Sequence, residues 1–185
     1  MCSRVNPSTL EWIRKPSLFI FNADKIVFET EPYTSFHINP KKNTAYGLKG
    51  KPRKEFRIDL RMDYNFKHKK DECGLFIEFD QDHWLTFGVE RISDEANRIF
   101  VRRVVHNEMD ESNREIASGI TYLLLKMKYQ KGELHLQYGF NEDRYWDIRK
   151  IQLEDQPMGT IGIYGCSENQ SYFDCTFSSI NVSDH

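Results

Sequence analysis

The sequence predicts an all-β protein, an antiparallel jelly-roll β-sandwich, and three observations carry that expectation. The first is composition: 13 Phe, 9 Tyr and 3 Trp stand against four Ala. Aromatic side chains suit a pleated, half-buried surface, whereas Ala is the strongest helix former. The second is repeated period-two alternation of apolar and polar residues, which gives a strand one dry and one wet face. The third is a series of turn signals at short intervals with no helical linker between them. The 185 residues suit one unit, so one domain is expected over residues 1–185.

Along the chain, Leu18–Phe21, Ile26–Glu29 and Thr34–Ile38 are the first strand candidates, separated by Asn22-Ala23-Asp24 and closed by Asn39-Pro40. Glu55 to Tyr64 is the clearest strand: Phe56, Ile58, Leu60, Met62 and Tyr64 alternate with Arg57, Asp59, Arg61 and Asp63. Leu75, Ile77 and Phe79 alternate with Phe76, Glu78 and Asp80, and Leu85, Phe87 and Val89 with Trp84, Thr86 and Glu90. The turn at Gln81-Asp82 makes these two a hairpin. Arg98–Val105 is a further strand, while Ser93–Asn97 reads as one helical turn and Asp110–Ile116 as an irregular or helical excursion. Leu123, Leu125, Met127 and Tyr129 form the dry face of the next strand, and Lys131-Gly132 leads into Leu134–Tyr138. Tyr145–Gln152, Thr160–Cys166 and Tyr172–Val182 complete the set, with turns at Asn141-Glu142-Asp143, Gln156-Pro157 and Ser167-Glu168-Asn169.

Charge excludes several functions. Twenty-six Lys and Arg against 28 Asp and Glu leave a formal charge of −2, without the broad basic field that nucleic-acid binding requires. Lys41-Lys42, Lys67-His68-Lys69-Lys70 and Arg102-Arg103 sit among acidic residues and read as solvated faces. No stretch approaches the ~18 apolar residues of a membrane span, and the first twenty residues lack a secretory apolar core. No nucleic-acid or membrane partner is expected, and the expected compartment is the cytoplasm. Cys2, Cys73, Cys166 and Cys175 are expected to be reduced and mostly buried, although Cys166 and Cys175 could face each other across a hairpin. The sequons at Asn169 and Asn181 matter only in a secreted protein. The six histidines show no ligand spacing, and Asp80 with Asp82 or Asn141-Glu142-Asp143 form no twelve-residue calcium loop. No metal and no cofactor are expected.

The chemistry-bearing residues converge on one hairpin. Glu78 and Asp80 project from the same strand face with α-carbons about 6.6 Å apart. The spacing resembles the first half of the Glu-x-Asp-x-Glu strand of laminarinase-like hydrolases, with Asp82 or His83 at the third position. Two carboxylates can divide acid and nucleophile roles in glycoside hydrolysis. Trp84 shares a face with Thr86, Gly88 and Glu90, so a polar face holding Trp84, Glu78 and Asp80, joined by His135 and Gln137, suits a sugar.

The run Gly74-Leu75, Asp80, Trp84 and Gly88-Val89-Glu90 resembles the domain-of-unknown-function family with a concanavalin A-like sandwich fold that includes the yeast regulator of enolase. Glu11-Trp12, Val104-Val105, Asn141 to Arg149 with Trp146 and Arg149 three apart, and Gly162-x-Tyr164-Gly165-Cys166-Ser167 agree in order. The chain departs at Thr86, where members usually carry Lys. The resemblance implies a concanavalin A-like lectin/glucanase fold and a non-catalytic carbohydrate-binding or sugar-metabolism regulatory module. In this reading Trp84 stacks on a sugar ring, Asp80 and Glu90 accept its hydroxyls, and Arg149 or Gln137 donates, with Trp146 nearby. The alternatives are a protein-interaction regulator of a metabolic enzyme such as enolase, and a glycoside hydrolase using Glu78 and Asp80.

Overall fold

The computed structural model describes residues 2–36, 46–50, 55–153 and 159–183. His37, His185, Lys41-Lys42 and the turns Asn39-Pro40 and Gln156-Pro157 lie outside them. The strands are β1 (Cys2–Arg4), β2 (Glu11–Arg14), β3 (Phe19–Phe21), β4 (Lys25–Glu29), β5 (Tyr46–Gly50), β6 (Phe56–Tyr64), β7 (Asp71–Asp80) and β8 (His83–Arg91). They continue with β9 (Ala96–Val105), β10 (Glu108–Ala117), β11 (Tyr122–Gln130), β12 (Glu133–Asn141), β13 (Arg144–Gln152), β14 (Thr160–Ser167) and β15 (Asp174–Ser183). One 3₁₀ turn, Pro7–Thr9, is capped by Asn6, whose side chain accepts from the Ser8 amide.

The eight-stranded sheet runs β13-β12-β11-β6-β15-β4-β3, with β1 also paired to β15, and the seven-stranded sheet runs β10-β9-β8-β7-β14-β5-β2. Every pairing is antiparallel, so the expected two-sheet sandwich is the fold that forms. The dry sides predicted from alternation meet in its centre. In β6, Phe56, Ile58, Leu60, Met62 and Tyr64 are buried. They face Leu75, Ile77, Leu85, Phe87, Ile99 and Val101 of the other sheet within one apolar cluster. Burying each such side chain is worth roughly 1.5–3 kcal/mol, which explains how strands with a fully polar second face stay paired.

The two long edges close differently. At one, Trp12 of β2 packs on Phe19 and Phe21 of β3, with ring centroids 5.1 and 5.7 Å away. At the other, Arg149 of β13 binds Asp110 of β10, and Arg114 Nη1 donates to the Tyr138 hydroxyl at 3.0 Å.

Several expectations need correction. Residues 108–117 are a strand, not an irregular or helical excursion. They pair with β9 along their whole length, and as an edge strand with little burial they need no apolar alternation. Ser93–Asn97 is a bend leading into β9 rather than a helical turn. The described part of Thr34–Ile38 is not a strand. Cys166 and Cys175 do not pair: Cys73, Cys166 and Cys175 are free and buried, and burial pushes all three thiols well up.

Candidate functional site

Cross-strand register assembles the outer face of the seven-stranded sheet row by row, because residues directly opposite each other share a side. One row holds Cys166, Glu72, Glu90 and Arg98; the next Tyr164, Gly74, Gly88 and Phe100; the next Phe76, Thr86 and Arg102; the last Thr160, Glu78, Trp84 and Val104. Trp84, Glu78 and Glu90 therefore do share a face, as parity predicts.

That face is sealed rather than open. Arg102 reaches across the glycine row to bind Glu72 at 2.5 Å and Glu90 at 2.8 Å, and turns its Nε to Glu111 at 2.7 Å. Its guanidinium lies 3.8 Å from the Phe100 ring centroid. Arg98 Nε donates to Glu90 at 2.7 Å, and Tyr164 donates to Glu72. Glu90 retains 1% exposure. Burial pushes the Glu72 carboxyl up, against the pull of Arg102 and the Tyr164 hydroxyl. Burial also works against the Arg102 charge, but Glu72 and Glu90 together hold it above its ordinary value. The glycines beneath are required. A Cβ on Gly74 would lie 2.4 Å from the Phe87 carbonyl oxygen, and one on Gly88 would lie 2.2 Å from that of Cys73.

Beside this network the chain fills the face with its own ring. Phe36 packs on Tyr164, Phe76 and Trp84 at centroid distances of 4.6, 5.1 and 5.6 Å. Only about 60 Å³ remains between Phe36, Trp84, Thr86 and Arg102, far below the ~300–1,000 Å³ of ordinary ligand sites. Trp84 is half-buried under this segment. Glu78 accepts from Thr160 Oγ1 at 2.7 Å. Asp80 is exposed at the hairpin end, where its Oδ1 accepts from the Asp82 amide at 2.9 Å, the usual task of an Asp in a turn.

Gln137, Trp146 and Arg149 belong to the other sheet, so the six expected residues do not form one groove. Trp146 packs on Tyr138 and Phe140 at 5.9 and 5.4 Å, and Arg149 serves the sandwich edge. Gln137 donates to Asp147 at 2.7 Å, and His135 bonds the same carboxylate at 2.8 Å. Gln137, then His135, hold Asp147 below its ordinary range.

An open groove lies on this eight-stranded sheet, beside Gln137, which pairs directly with Lys126. A groove of about 580 Å³ crosses the strands from Tyr145 to Asn181 over Leu124. Arg57 grips Asp59 through two bonds of 2.7 and 3.1 Å. Lys126 stands 3.8 Å from the same carboxylate and 3.5 Å from the Tyr145 ring centroid. Arg61 lies over Tyr122 at 4.2 Å. Burial lowers the Lys126 ammonium, opposed by Asp59, and raises the Tyr145 phenol. Sequence reasoning placed Arg57, Asp59 and Arg61 on a wet face but missed the groove. The signal it lacked is the β12–β13 pairing, whose irregular register beside Gly139 brings Tyr145 alongside. Among the described residues, no three His, Cys, Asp or Glu side chains group to hold a metal ion, and no helix is long and apolar enough to cross a membrane.

Fold and faces together define a class: a two-sheet antiparallel sandwich of lectin-like architecture. Within it, the chain belongs to the family described as protein of unknown function DUF1349, which matches residues 12–185. It is 22% identical over 175 residues to "Regulation of enolase protein 1" of Saccharomyces cerevisiae, spanning 90% of this chain and 85% of that one. A crystal structure of a functionally unknown S. cerevisiae protein superposes with a TM-score of 0.84 at 20% identity, over 98% of this chain and 99% of the other. A legume lectin-like domain from Entamoeba histolytica gives a TM-score of 0.62 at 13% identity, over 95% and 89%. A mutant of the GH43 protein BlXynB from Bacillus licheniformis gives 0.71 at 10% identity, over 94% of this chain but 36% of that one.

Proposed function

We propose that this protein is a non-catalytic carbohydrate-binding module serving the regulation of sugar metabolism, and that the sugar lies in the groove of the eight-stranded sheet. One observation carries the reading: a 580 Å³ groove floored by Leu124 and lined by tyrosines and pre-paired polar groups. Sugars are held by apolar contact with one ring face and fixed hydrogen bonds around its rim. Tyr145 supplies the stacking ring, while Asp59, Arg57, Asn181 and Lys126 supply acceptors and donors. Lys126 leaves the Tyr145 face for a sugar hydroxyl as the ligand stacks. This site takes the place of the Trp84, Asp80 and Glu90 arrangement, whose groups are committed to Phe36, to a turn and to arginines. Glu78 and Asp80 hold Thr160 and the hairpin, which favours the non-catalytic reading over hydrolysis.

Glycan-array screening followed by calorimetry tests the proposal. Tyr145→Ala is expected to weaken binding by up to about 1.5–3 kcal/mol, the scale of losing the apolar contact of one large side chain; a wild-type protein that binds no glycan would sink the reading. A second reading, regulation of a metabolic enzyme such as enolase by direct contact, is favoured by the relative named for enolase regulation. Titrating purified enolase into the protein tests it, with no complex at micromolar concentration counting against it. Three buried thiols fit a reducing compartment, and we place the protein in the cytoplasm.

A further inference from the structure

Between the sheets, where β5 and β14 face β6 and β15, lies a partly open cavity of about 230 Å³. Ile58 and Leu60 wall it on one side, Leu75 and Ile163 on the other, and the half-buried Val5 and Leu10 stand at its flank. Among the described residues that line it, none has a charged or hydrogen-bonding side chain. The lining is mostly apolar, with polar surface supplied by the backbone alone, so water finds few of the two to four partners it needs there.

Gly50 is one of the residues that leave the space open. Gly50 pairs with Ile161 and therefore points between the sheets with it. Its backbone does not demand glycine: no positive φ accompanies it, and an added Cβ would meet only the Leu10 Cδ2 methyl, at 3.1 Å. Deeper between the sheets, Leu85, Phe87, Leu125 and Met127 are at 0% exposure. A larger side chain at position 50 would reduce the space.

We infer that this cavity is a binding site for the alkyl body of a small uncharged molecule. The ~150 Å³ dry cavity that takes the six carbons of benzene scales to roughly nine carbons at this volume. Any polar head remains at the flank by Val5 and Leu10. This site lies on the inner side of β6, whereas Tyr145 and Lys126 of the sugar groove are on the outer face; Leu60 borders both.

Calorimetry and thermal shift with 1-octanol test the inference. Wild type is expected to bind with a Kd at or below ~1 mM, and Gly50→Val to weaken binding at least about tenfold while circular dichroism stays native. Tyr145→Ala is expected to leave octanol affinity unchanged, so loss of sugar binding and loss of octanol binding are read independently. If Gly50→Val does not fold, Gly50→Ala, which adds one methyl, is expected to weaken octanol binding measurably. Failure of wild type to bind octanol, or equal binding by a folded filling variant, overturns the assignment.

Discussion

Replacing Arg102 by Ala removes a cation that touches three carboxylates. Its side chain is 15% exposed and binds Glu72 at 2.5 Å, Glu90 at 2.8 Å and Glu111 at 2.7 Å. Removing one partner of a buried ion pair costs about 3–5 kcal/mol, because the carboxylate left behind has lost its water without compensation. Here Glu90 keeps Arg98 at 2.7 Å and Glu72 keeps the Tyr164 hydroxyl, so the lower end, about 3 kcal/mol, is expected. For a chain of 185 residues each kcal/mol moves the midpoint by roughly 2–4 °C, so Tm should fall by about 6–12 °C. Thermal unfolding followed by circular dichroism at neutral pH measures this, with urea denaturation as an independent check on the free energy. A fall below about 2 °C would show that the network does not hold the outer face together, and the sealed-face description would fail with it.

Glu72→Gln tests the raised carboxyl directly. Because the folded-state value lies above the ordinary 4.5, the folded protein holds more protons than the unfolded chain between those two values. The Glu72 contribution therefore favours folding at low pH and is lost as pH rises through the folded value. The stability of wild type relative to Glu72→Gln is expected to decline as pH rises above 4.5; denaturation midpoints that run parallel across the range would refute it. Gly88→Ala forces a Cβ to 2.2 Å from the Cys73 carbonyl oxygen, and strands β7 and β8 must separate. Overpacking of this kind costs about 1–3 kcal/mol or more, so a lowered Tm or insoluble protein is expected, and unchanged melting would show that the strands can part freely.

Much of this architecture was legible in the sequence because alternation reports burial. Phe56 to Tyr64 and the hairpin of β7 and β8 could be read residue by residue, and parity put Trp84 on the same face as Glu78 and Glu90. Residues 108–117 escaped because both faces of an edge strand can be wet, and only pairing with β9 makes them extended. The candidate site failed at a different level. Parity tells which way Trp84 points within its sheet; it does not report that Phe36 crosses the face from an irregular segment. Nor can it show that Arg98 and Arg102 fall opposite Glu90 and Thr86, which depends on the register of β9. Gln137 and Glu90 both point outward, but from sheets whose order along the chain interleaves, so outwardness alone could not put them on opposite sides of the molecule.

The two edges of the sandwich respond to different solvents. On the β10–β13 side the sheets are joined by charged and polar groups, Arg149 with Asp110 and Arg114 with Tyr138. Exposed ion pairs of this kind weaken with added salt. On the β2–β3 side they are joined by Trp12 on Phe19 and Phe21, an apolar contact that salt leaves intact and that weakens on cooling. Salt loosens one seam and cold the other, so amide exchange at the two edges separates them: β13 amides open faster as ionic strength rises, and those of β3 as temperature falls toward freezing.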